Sequence, residues 1–294
     1  ITGMSSKNEN EPRQNKKLPL GAVFGHQRLS IIATESKFAK QPLVSQNGVG
    51  SVVGLLSFNG EIYNYSELGA LLNKEGVYSF DINSDTSVLG SALAHWGVAR
   101  TINLIDGMFA FAWWERSGGN NHGVLYLVRD PFGEKPLYYA ENACGGLAFA
   151  SEIKALLQMN FASNYPRKDT IPEFFWTGKV SGEATFFRDV SELLPGHILR
   201  ALPNGELKTE AYFHLERYFN GSTLKNSTTS FPSLLDEAVF TRCTADVDVG
   251  ILLSGGIDSC SLVESCLHQM PNKKLNLFSA GTSNLSLSEA SITK

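Results

Sequence analysis

The sequence predicts an α+β domain with a two-layer β core, followed by the beginning of an α/β domain with a parallel sheet. Between residues 20 and 157, short apolar segments alternate with turn signals, and helical spacing is only occasional, which is typical of stacked sheets with helices outside. A polar stretch at residues 217–229 separates this part from the rest. Beyond it, helix, strand, double-glycine turn, helix and strand patterns follow in the order that α/β domains show. A chain of 294 residues has room for both domains.

The first long apolar run ends in an Asn-Gly pair. Residues 52–58 are apolar and lead into Asn59 and Gly60, the pair that most strongly signals a two-residue hairpin. The residues alone therefore predict a turn at this position, with a strand on each side.

Four more strands and two helices are predicted in the first part. The continuous aromatic and aliphatic run at residues 107–114 is typical of a strand buried on both faces. Apolar positions within residues 86–93 are spaced as on one helix face, and Ser84 or Asp85 stands where the helix cap belongs. Strands are expected at residues 107–114, 124–128, 137–139 and 147–150, and helices at residues 86–93 and 152–157.

The composition is that of an ordinary globular protein and excludes some partners. Hydrophobic residues make up 43% and charged residues 18%, and the net charge of -4 gives no electrostatic reason to expect nucleic acid or an anionic membrane. No segment approaches the ~20 apolar residues that cross a bilayer. The four cysteines show neither a disulfide framework nor a metal-ligand pattern, which favours a reducing compartment and a cytoplasmic protein.

The double-glycine turn carries the strongest functional signal. A β-rich run at residues 247–253 delivers the chain to Gly255 and Gly256, and an apolar helical pattern follows. Because glycines lack a Cβ atom, their backbone N–H groups can approach an anion closely, and the start of the helix adds unpaired donors. No lysine stands where a Walker A motif requires one, which disfavours a P-loop kinase or GTPase. The alternative is a purely structural turn with Asp258 or Ser259 as the helix cap.

Residues 254–259 resemble the S-G-G-x-D-S loop of the ATP pyrophosphatases, the superfamily that includes asparagine synthetase, GMP synthetase, NAD synthetase and argininosuccinate synthetase. The resemblance implies adenylation, in which an oxygen nucleophile attacks the α-phosphate of ATP and pyrophosphate leaves. It also implies ATP and Mg²⁺ as cofactors, with Leu253 and Ala280 near the adenosine. The expected ATP-binding residues are Leu253, Ser254, Gly255, Gly256, Asp258, Ser259 and Ala280.

Five short motifs in the first part resemble the class II glutaminase domain of asparagine synthetases. They occur in order at residues 26–31, 59–64, 84–85, 129–133 and 149–154. The resemblance implies an N-terminal Ntn-hydrolase-like αββα sandwich with two antiparallel sheets. The expected boundaries are residues 1–18 for a polar lead-in, 19–215 for the glutaminase domain, 216–230 for a linker and 231–294 for the start of the synthetase domain.

The same resemblance, together with side-chain chemistry, predicts a glutamine site. Arg28 can hold the α-carboxylate with a bidentate fork, whereas Glu61 and Asp85 can accept hydrogen bonds from the α-ammonium. The Asn59 side chain and the Gly60 backbone N–H match the family's oxyanion hole, which stabilises charge that develops during amide attack. The expected glutamine-binding residues are Arg28, Leu29, Ser30, Ile31, Ile32, Asn59, Gly60, Glu61 and Asp85.

Each of these residues, taken singly, also has an ordinary structural explanation. Arg28 alone would be a surface cation and Asp85 alone a helix cap, so the ordered set carries the functional interpretation. Arg129, Asp130 and Lys135 are interpreted as ion pairs that hold a strand end, although the first two lie in one of the five motifs.

The nucleophile expected of the family has no counterpart in this sequence. In the family it is a cysteine at the mature N-terminus, activated by its own α-amine, whereas the first residue here is Ile1 and no cysteine precedes Cys144. Thr2 is disfavoured as a substitute because its surroundings match no strand. We interpret the chain as a fragment of a longer enzyme and expect the fragment itself to be inactive.

The leading hypothesis is an ATP-dependent carbon–nitrogen ligase that converts glutamine, aspartate and ATP into asparagine, glutamate, AMP and pyrophosphate. One alternative is a related amidotransferase with a different acceptor, such as a β-lactam precursor, a sugar or a peptide. Another is a non-catalytic protein that binds glutamine or a nucleotide. The expected partners are these small molecules, and a homodimer is left open.

Overall fold

The computed structural model describes residues 21–46, 51–116, 123–142, 145–219, 230–271 and 274–280. The predicted lead-in and the middle of the predicted linker lie outside these residues. The strands are β1 (Leu43–Gln46), β2 (Val52–Ile62), β3 (Gly107–Arg116), β4 (Gly123–Arg129), β5 (Tyr138–Glu141), β6 (Leu147–Ala150), β7 (Ser191–Glu192), β8 (His197–Ala201), β9 (Leu207–Ala211), β10 (Gly250–Leu252) and β11 (Asn276–Phe278). The helices are α1 (Tyr65–Lys74), α2 (Asp85–Ile102), α3 (Ile153–Gln158), α4 (Thr170–Thr177), α5 (Glu216–Phe219), α6 (Phe231–Arg242) and α7 (Ile257–Gln269). Within the described part of the chain, no helix is long and apolar enough to span a bilayer.

Six strands form one antiparallel sheet in the order β1-β2-β3-β4-β8-β9. The longest ladder joins β2 and β3, from Gly54 opposite Glu115 to Ile62 opposite Gly107. The strands predicted at residues 107–114 and 124–128 are confirmed as β3 and β4, and β3 is held by a neighbour on each side.

The turn predicted at Asn59 and Gly60 is wrong, because β2 runs through both residues without reversing. Asn59 lies opposite Ala110, and Gly60 lies opposite Phe109. Gly60 has a φ of 148°, and a Cβ atom added there would lie 2.0 Å from the Met108 carbonyl oxygen. The glycine is therefore required by its conformation and by close contact between strands, not by a hairpin turn.

The two faces of β3 are both buried and differ in the size of their side chains. Phe109, Phe111 and Trp113 pack into the cluster that includes residues of α1 and α2. Side chains alternate along a strand, so Ala110 and Ala112 enter the other cluster, which the first sheet shares with the second. The bulky face anchors the helices, while the small face leaves space between the sheets.

A second sheet contains three antiparallel strands in the order β6-β5-β7. Leu147 and Phe149 of β6 pack towards the first sheet. On the outer side, Ala140 and Ala148 pack with Leu156 of α3. The layers therefore run helices, sheet, sheet, helix, and the αββα sandwich with two antiparallel sheets is confirmed.

Helix α2 begins where the sequence places its cap. Of the two candidates, Ser84 is the cap, because its Oγ accepts a hydrogen bond from the Ser87 backbone N–H at 3.2 Å. Asp85 is instead the first helical residue, and the helix continues past residue 93 to Ile102 with a kink at Gly97, where φ is 74°.

The C-terminal part starts a parallel sheet, as predicted. Strands β10 and β11 pair in parallel, with Gly250 opposite Asn276. Val239 of α6, Ile251 of β10 and Cys266 of α7 form its buried core. This arrangement delivers the double-glycine turn to the carboxyl end of β10.

Neither Asp258 nor Ser259 caps α7. Gly256 occupies the cap position and makes no side-chain cap bond, so Asp258 and Ser259 lie in the first turn of the helix. The backbone donors at this helix start are therefore not satisfied by a capping side chain.

Candidate functional site

A cavity of about 880 Å³ lies between the two sheets. Its walls come from the irregular segment at residues 21–32, from β2 and β3, and from β6 with the start of α3. The small side chains of Ala110 and Ala112 line it, which explains why there is space in the middle of the sandwich. The volume is typical of a small-molecule site.

Arg28 lies in the cavity wall and is anchored by backbone carbonyl groups. Its Nη2 donates to the Ile32 carbonyl oxygen at 2.5 Å and to the Ala33 carbonyl oxygen at 3.3 Å. Both acceptors are uncharged, and among the described residues no carboxylate forms an ion pair with the guanidinium. Its charge is thus available to an anionic group of a ligand.

The carboxylates of Glu61 and Asp85 line the same cavity and are both nearly buried, at 7% and 4% exposure. Burial raises the pKa of Glu61, with repulsion from Asp85 adding to the rise and the Lys135 ammonium opposing it. Burial also raises the pKa of Asp85, although hydrogen bonds from the backbone N–H groups of Thr86 and Ile62 favour its charged form. Two buried carboxylates that repel each other would be stabilised in their charged form by a cationic group of a ligand.

Because both pKa values are raised, we expect the affinity for an α-ammonium ligand to increase with pH as Glu61 and Asp85 ionise. A protonated carboxyl group cannot pair with an ammonium, so binding should release protons. The free energy of unfolding of the ligand-free protein should change in the opposite direction. A carboxyl group whose pKa is raised in the folded state contributes stability at low pH, and this contribution is lost as the pH rises through that pKa. Calorimetric titrations with glutamine in two buffers of different ionisation enthalpy measure the released protons.

Glu61→Gln provides the control for this pH dependence, because it removes one titrating group and keeps the shape of the side chain. It should reduce the number of protons released. An affinity that does not increase as the pH is raised from about 4 to neutrality would contradict the assignment.

Asn59 and Gly60 lie side by side in β2 where the strand borders the cavity. The Asn59 Nδ2 donates to the Ser151 Oγ at 3.4 Å, a long and weak contact. Its amide can therefore turn to a stronger acceptor at little cost, such as an oxyanion on a ligand carboxamide.

The structure brings together eight of the nine residues predicted to bind glutamine. Ser30 is exposed and is absent from the cavity wall, while Leu29 is 83% exposed and lines only the opening. The other seven are Arg28, Ile31, Ile32, Asn59, Gly60, Glu61 and Asp85.

Lys135 lies in the cavity wall, although the sequence interpretation gave it only a structural role. Asp130 is fully buried and accepts hydrogen bonds from the backbone N–H groups of Phe132, Glu134 and Lys135 at 2.9–3.0 Å. These bonds fix the turn, and the turn sets the position of the lysine. Arg129 forms an ion pair as expected, with Glu192 at 2.7 Å. Asp130 is structural too, but it acts through these backbone hydrogen bonds and forms no ion pair among the described residues.

Two further residues of the cavity wall were not singled out as binding residues in the sequence. The Gln41 side chain exchanges two hydrogen bonds with the backbone of Phe58, at 2.6 and 2.9 Å, and so extends the edge of β2. His26 lies 3.2 Å from the Ser57 Oγ through its Nδ1. Burial, with a smaller effect of Arg28, lowers the pKa of His26, so the imidazole is neutral near pH 7.

The double-glycine loop forms an open turn between β10 and α7. Gly255 has a φ of 85°, a conformation that favours glycine. The Ser254 Oγ lies 3.1 Å from the Ser259 Oγ, so a hydrogen bond between the two hydroxyl groups joins the start of the loop to the first turn of α7. Asp258 is exposed in the first helical turn beside them.

The two residues predicted to contact adenosine also lie at this loop. The Leu253 backbone N–H donates to the Phe278 carbonyl oxygen at 2.8 Å, and the Ser279 Oγ donates to the Leu253 carbonyl oxygen at 2.6 Å. Leu253 and Ala280 therefore follow the carboxyl ends of two adjacent parallel strands, where α/β sheets bind their ligands.

Comparison with protein families gives two matches along the chain. Residues 14–213 match the glutamine amidotransferase domain, and residues 230–294 match asparagine synthase.

Individual relatives agree with these matches. Asparagine synthetase [glutamine-hydrolyzing] 1 of Bacillus subtilis is 33% identical over 92% of this chain and 40% of its own length. Asparagine synthetase [glutamine-hydrolyzing] 2 of the same organism is 32% identical over 81% of this chain and 32% of its own. Amidase chry2 of Gibberella zeae is 33% identical over 83% of this chain and 35% of its own. The chain spans about two fifths or less of the length of these relatives.

Proposed function

Since this chain belongs to the asparagine synthetase family, we propose that the protein carrying it transfers the amide nitrogen of glutamine to aspartate with the energy of ATP. The products are asparagine, glutamate, AMP and pyrophosphate. Glutamine is hydrolysed in the inter-sheet cavity, which yields ammonia. The double-glycine loop binds the ATP that activates aspartate.

One observation carries the proposal for the first site: a cation and two carboxylates line the same cavity. Arg28 complements an α-carboxylate, and Glu61 with Asp85 complements an α-ammonium. A zwitterionic amino acid satisfies both ends at once, because a ligand with only one charge would leave the other protein groups without a charged partner. Asn59 then faces the neutral end of the ligand, which in glutamine is a carboxamide.

The chemical step at this site follows from the position of Asn59. When a nucleophile attacks the carboxamide, negative charge develops on the oxygen, and the Asn59 Nδ2 with the Gly60 backbone N–H is placed to stabilise it. The family resemblance implies an N-terminal cysteine thiolate as the nucleophile, with ammonia leaving and water releasing glutamate from the thioester. Glu61 and Asp85 hold the ammonium of the ligand throughout and so keep the carbonyl carbon in place.

At the second site the loop binds the leaving pyrophosphate. Backbone N–H groups at Gly255 and Gly256 and the start of the 13-residue helix α7 favour anionic oxygens. An aspartate carboxylate oxygen attacks the α-phosphate, pyrophosphate leaves into this loop, and ammonia then displaces AMP from the acyl adenylate.

The loop also fits a magnesium ion that accompanies ATP. Mg²⁺ keeps several waters and takes one or two protein carboxylates together with substrate phosphates. Asp258 is an exposed carboxylate beside the hydroxyl groups of Ser254 and Ser259, so Asp258 would hold the ion. When bound, the ion neutralises charge on the phosphates.

An isotope experiment tests the function. The full-length protein is supplied with aspartate, ATP and glutamine labelled with ¹⁵N in the amide group, and labelled asparagine is expected. Exchange of labelled pyrophosphate into ATP should require aspartate. Label found only in free ammonia, with no exchange, would refute the ligase assignment.

Gly256→Ala is expected to weaken ATP binding about 10- to 100-fold, by displacing charge-assisted backbone hydrogen bonds. Gly256 has a φ of -73°, which alanine adopts, and the added Cβ would meet only the Ser254 Oγ at 3.5 Å. The fold should therefore be unaffected. Adenosine, which lacks phosphates, is the matched control and should bind the variant as well as the wild type. Equal ATP affinity for both proteins would exclude the loop as a phosphate site.

A different acceptor is the second candidate, because relatives of similar identity are not all named asparagine synthetases. Two fungal relatives, Amidase chry2 and Amidase chyE, are each 33% identical over more than four fifths of this chain. Pyrophosphate release that does not respond to aspartate would support this candidate.

A further inference from the structure

Asp246, in the segment that leads into the ATP loop, forms hydrogen bonds with residues 31 and 33, which closely follow Arg28. The Asp246 backbone N–H donates to the Ile31 carbonyl oxygen at 3.0 Å. The Asp246 carboxylate accepts from the Ala33 backbone N–H at 2.7 Å. Asp246 therefore binds the residues on both sides of Ile32 by two hydrogen bonds in opposite directions.

The segment that Asp246 binds, residues 31–33, also anchors the Arg28 side chain. The guanidinium donates to the carbonyl oxygens of Ile32 and Ala33. The Ile32 carbonyl shares its peptide unit with the Ala33 N–H that Asp246 binds. Any shift of this segment moves the acceptors of Arg28, and with them the charge that faces the cavity.

The backbone at Ala33 indicates that this segment needs external support. Ala33 has a φ of 51°, a left-handed conformation that is unfavourable for a residue with a Cβ atom. Such conformations persist where surrounding contacts determine them. The hydrogen bond from the Ala33 N–H to Asp246 is a contact of this kind.

The C-terminal part makes a second contact with the first domain, beside residues of the cavity wall. Arg242 at the end of α6 pairs with Glu134 at 3.4 Å and lies over the Tyr63 ring, 5.2 Å from its centroid. Glu134 precedes Lys135, and Tyr63 closely follows Glu61. Residues beyond 230 thus contact segments that belong to three parts of the cavity wall.

From these contacts we infer that Asp246 is a positioning residue for glutamine binding: it holds residues 31–33 in the shape that presents Arg28 to the ligand carboxylate. The inference rests on the proposed glutamine site and adds to it a residue 213 positions away from Ala33 in sequence. Only three residues separate Asp246 from β10 and the loop behind it, so the glutamine site is completed by the segment that carries the ATP loop.

The test is the dissociation constant of glutamine, measured by calorimetry on the full-length protein. Asp246→Ala should weaken binding about fivefold to tenfold, within the range for losing one ordinary hydrogen bond, because the bond supports the binding group and does not contact the ligand. Asp246→Asn keeps an acceptor oxygen for the Ala33 N–H and should recover affinity to within about twofold of the wild type. Asp248→Asn removes the same charge two residues along the exposed segment and should have no effect.

A double substitution separates positioning from general damage to the fold. If Asp246 acts through Arg28, then in an Arg28→Lys background Asp246→Ala should add less than about a twofold further loss, because the two effects are not independent. A full additional loss in that background, or wild-type affinity for Asp246→Ala alone, would overturn the inference. A thermal melt checks that the variants are folded, and Asp246→Asn keeps the test valid if Asp246→Ala is not.

Failure of the proposed glutamine site gives a different result. In that case the wild type does not bind glutamine, or Arg28→Lys binds as well as the wild type, and the inference falls with it. Wild-type binding that depends on Arg28 but not on Asp246 overturns the inference alone.

Discussion

Replacing Asn59 with alanine is expected to lower kcat for glutamine hydrolysis about 100- to 1000-fold, the range measured for loss of one oxyanion donor. The KM for glutamine should change little, because charge on the amide oxygen develops only as the reaction proceeds. The structure gives the reason for an effect on kcat without one on KM. Asn59 borders the cavity with only a 3.4 Å contact to Ser151, whereas the charged ends of the ligand are assigned to other residues. Steady-state ammonia release by the full-length protein provides both constants.

Asn64→Ala is the matched control for this prediction. The Asn64 side chain donates to the Leu104 carbonyl oxygen at 2.8 Å and accepts from the Asp106 N–H at 2.9 Å, two residues beyond the end of β2 and outside the cavity wall. It should lower the melting temperature and leave kcat within about twofold, since it removes hydrogen bonds that support only the fold. If Asn59→Ala raises KM and leaves kcat intact, the amide binds substrate and has no role as an oxyanion donor.

Arg28→Met is expected to weaken glutamine binding about 100-fold. The substitution keeps an apolar stem of similar length and removes the cation that faces the α-carboxylate. Truncating one partner of a desolvated charge pair typically costs about 2–5 kcal/mol, and the cost is increased here because the buried Asp85 carboxylate loses the favourable charge of Arg28 and repels the ligand carboxylate. Calorimetry on the full-length protein measures the change.

A modified ligand isolates the charge interaction. 4-Aminobutanamide is glutamine without its α-carboxylate, so it should bind the wild type weakly and bind Arg28→Met no worse. Arg188→Met, at an exposed arginine paired with Asp189, should leave glutamine affinity unchanged. If the variant at residue 28 loses equal affinity for both ligands, Arg28 supports the fold of the site and not the carboxylate.

Elements with strong local signals could be predicted from the sequence. An unbroken apolar run predicts strand β3, and a serine in the cap position predicts the start of α2. The strand–glycine–helix order predicts the parallel pair β10 and β11. The failure at Asn59 and Gly60 has a physical cause. The Asn-Gly signal is local, but β3 supplies nine residues of ladder opposite β2, and long-range pairing outweighed the turn preference of two residues.

The candidate site divides in the same way. Arg28, Glu61 and Asp85 stand in short motifs that resemble a known family, so they could be named in advance. Lys135 and Asp246 could not, because their positions depend on contacts that form only on folding: a turn held by buried Asp130, and a hydrogen bond between residues 213 positions apart. No periodicity or spacing in the sequence encodes such contacts.

The alternation along β3 allows substrate range and folding to evolve separately. Enlarging Ala110 or Ala112 would shrink the room for a ligand while leaving the helix layer as it is, whereas trimming Phe109 or Trp113 would open a hole under the helices without reshaping that room. Along β3, the aromatic positions are thus constrained by the stability of the fold, and the two alanine positions by the size of the ligand. Changes at the two alanine positions alone would therefore alter which ligands fit the cavity.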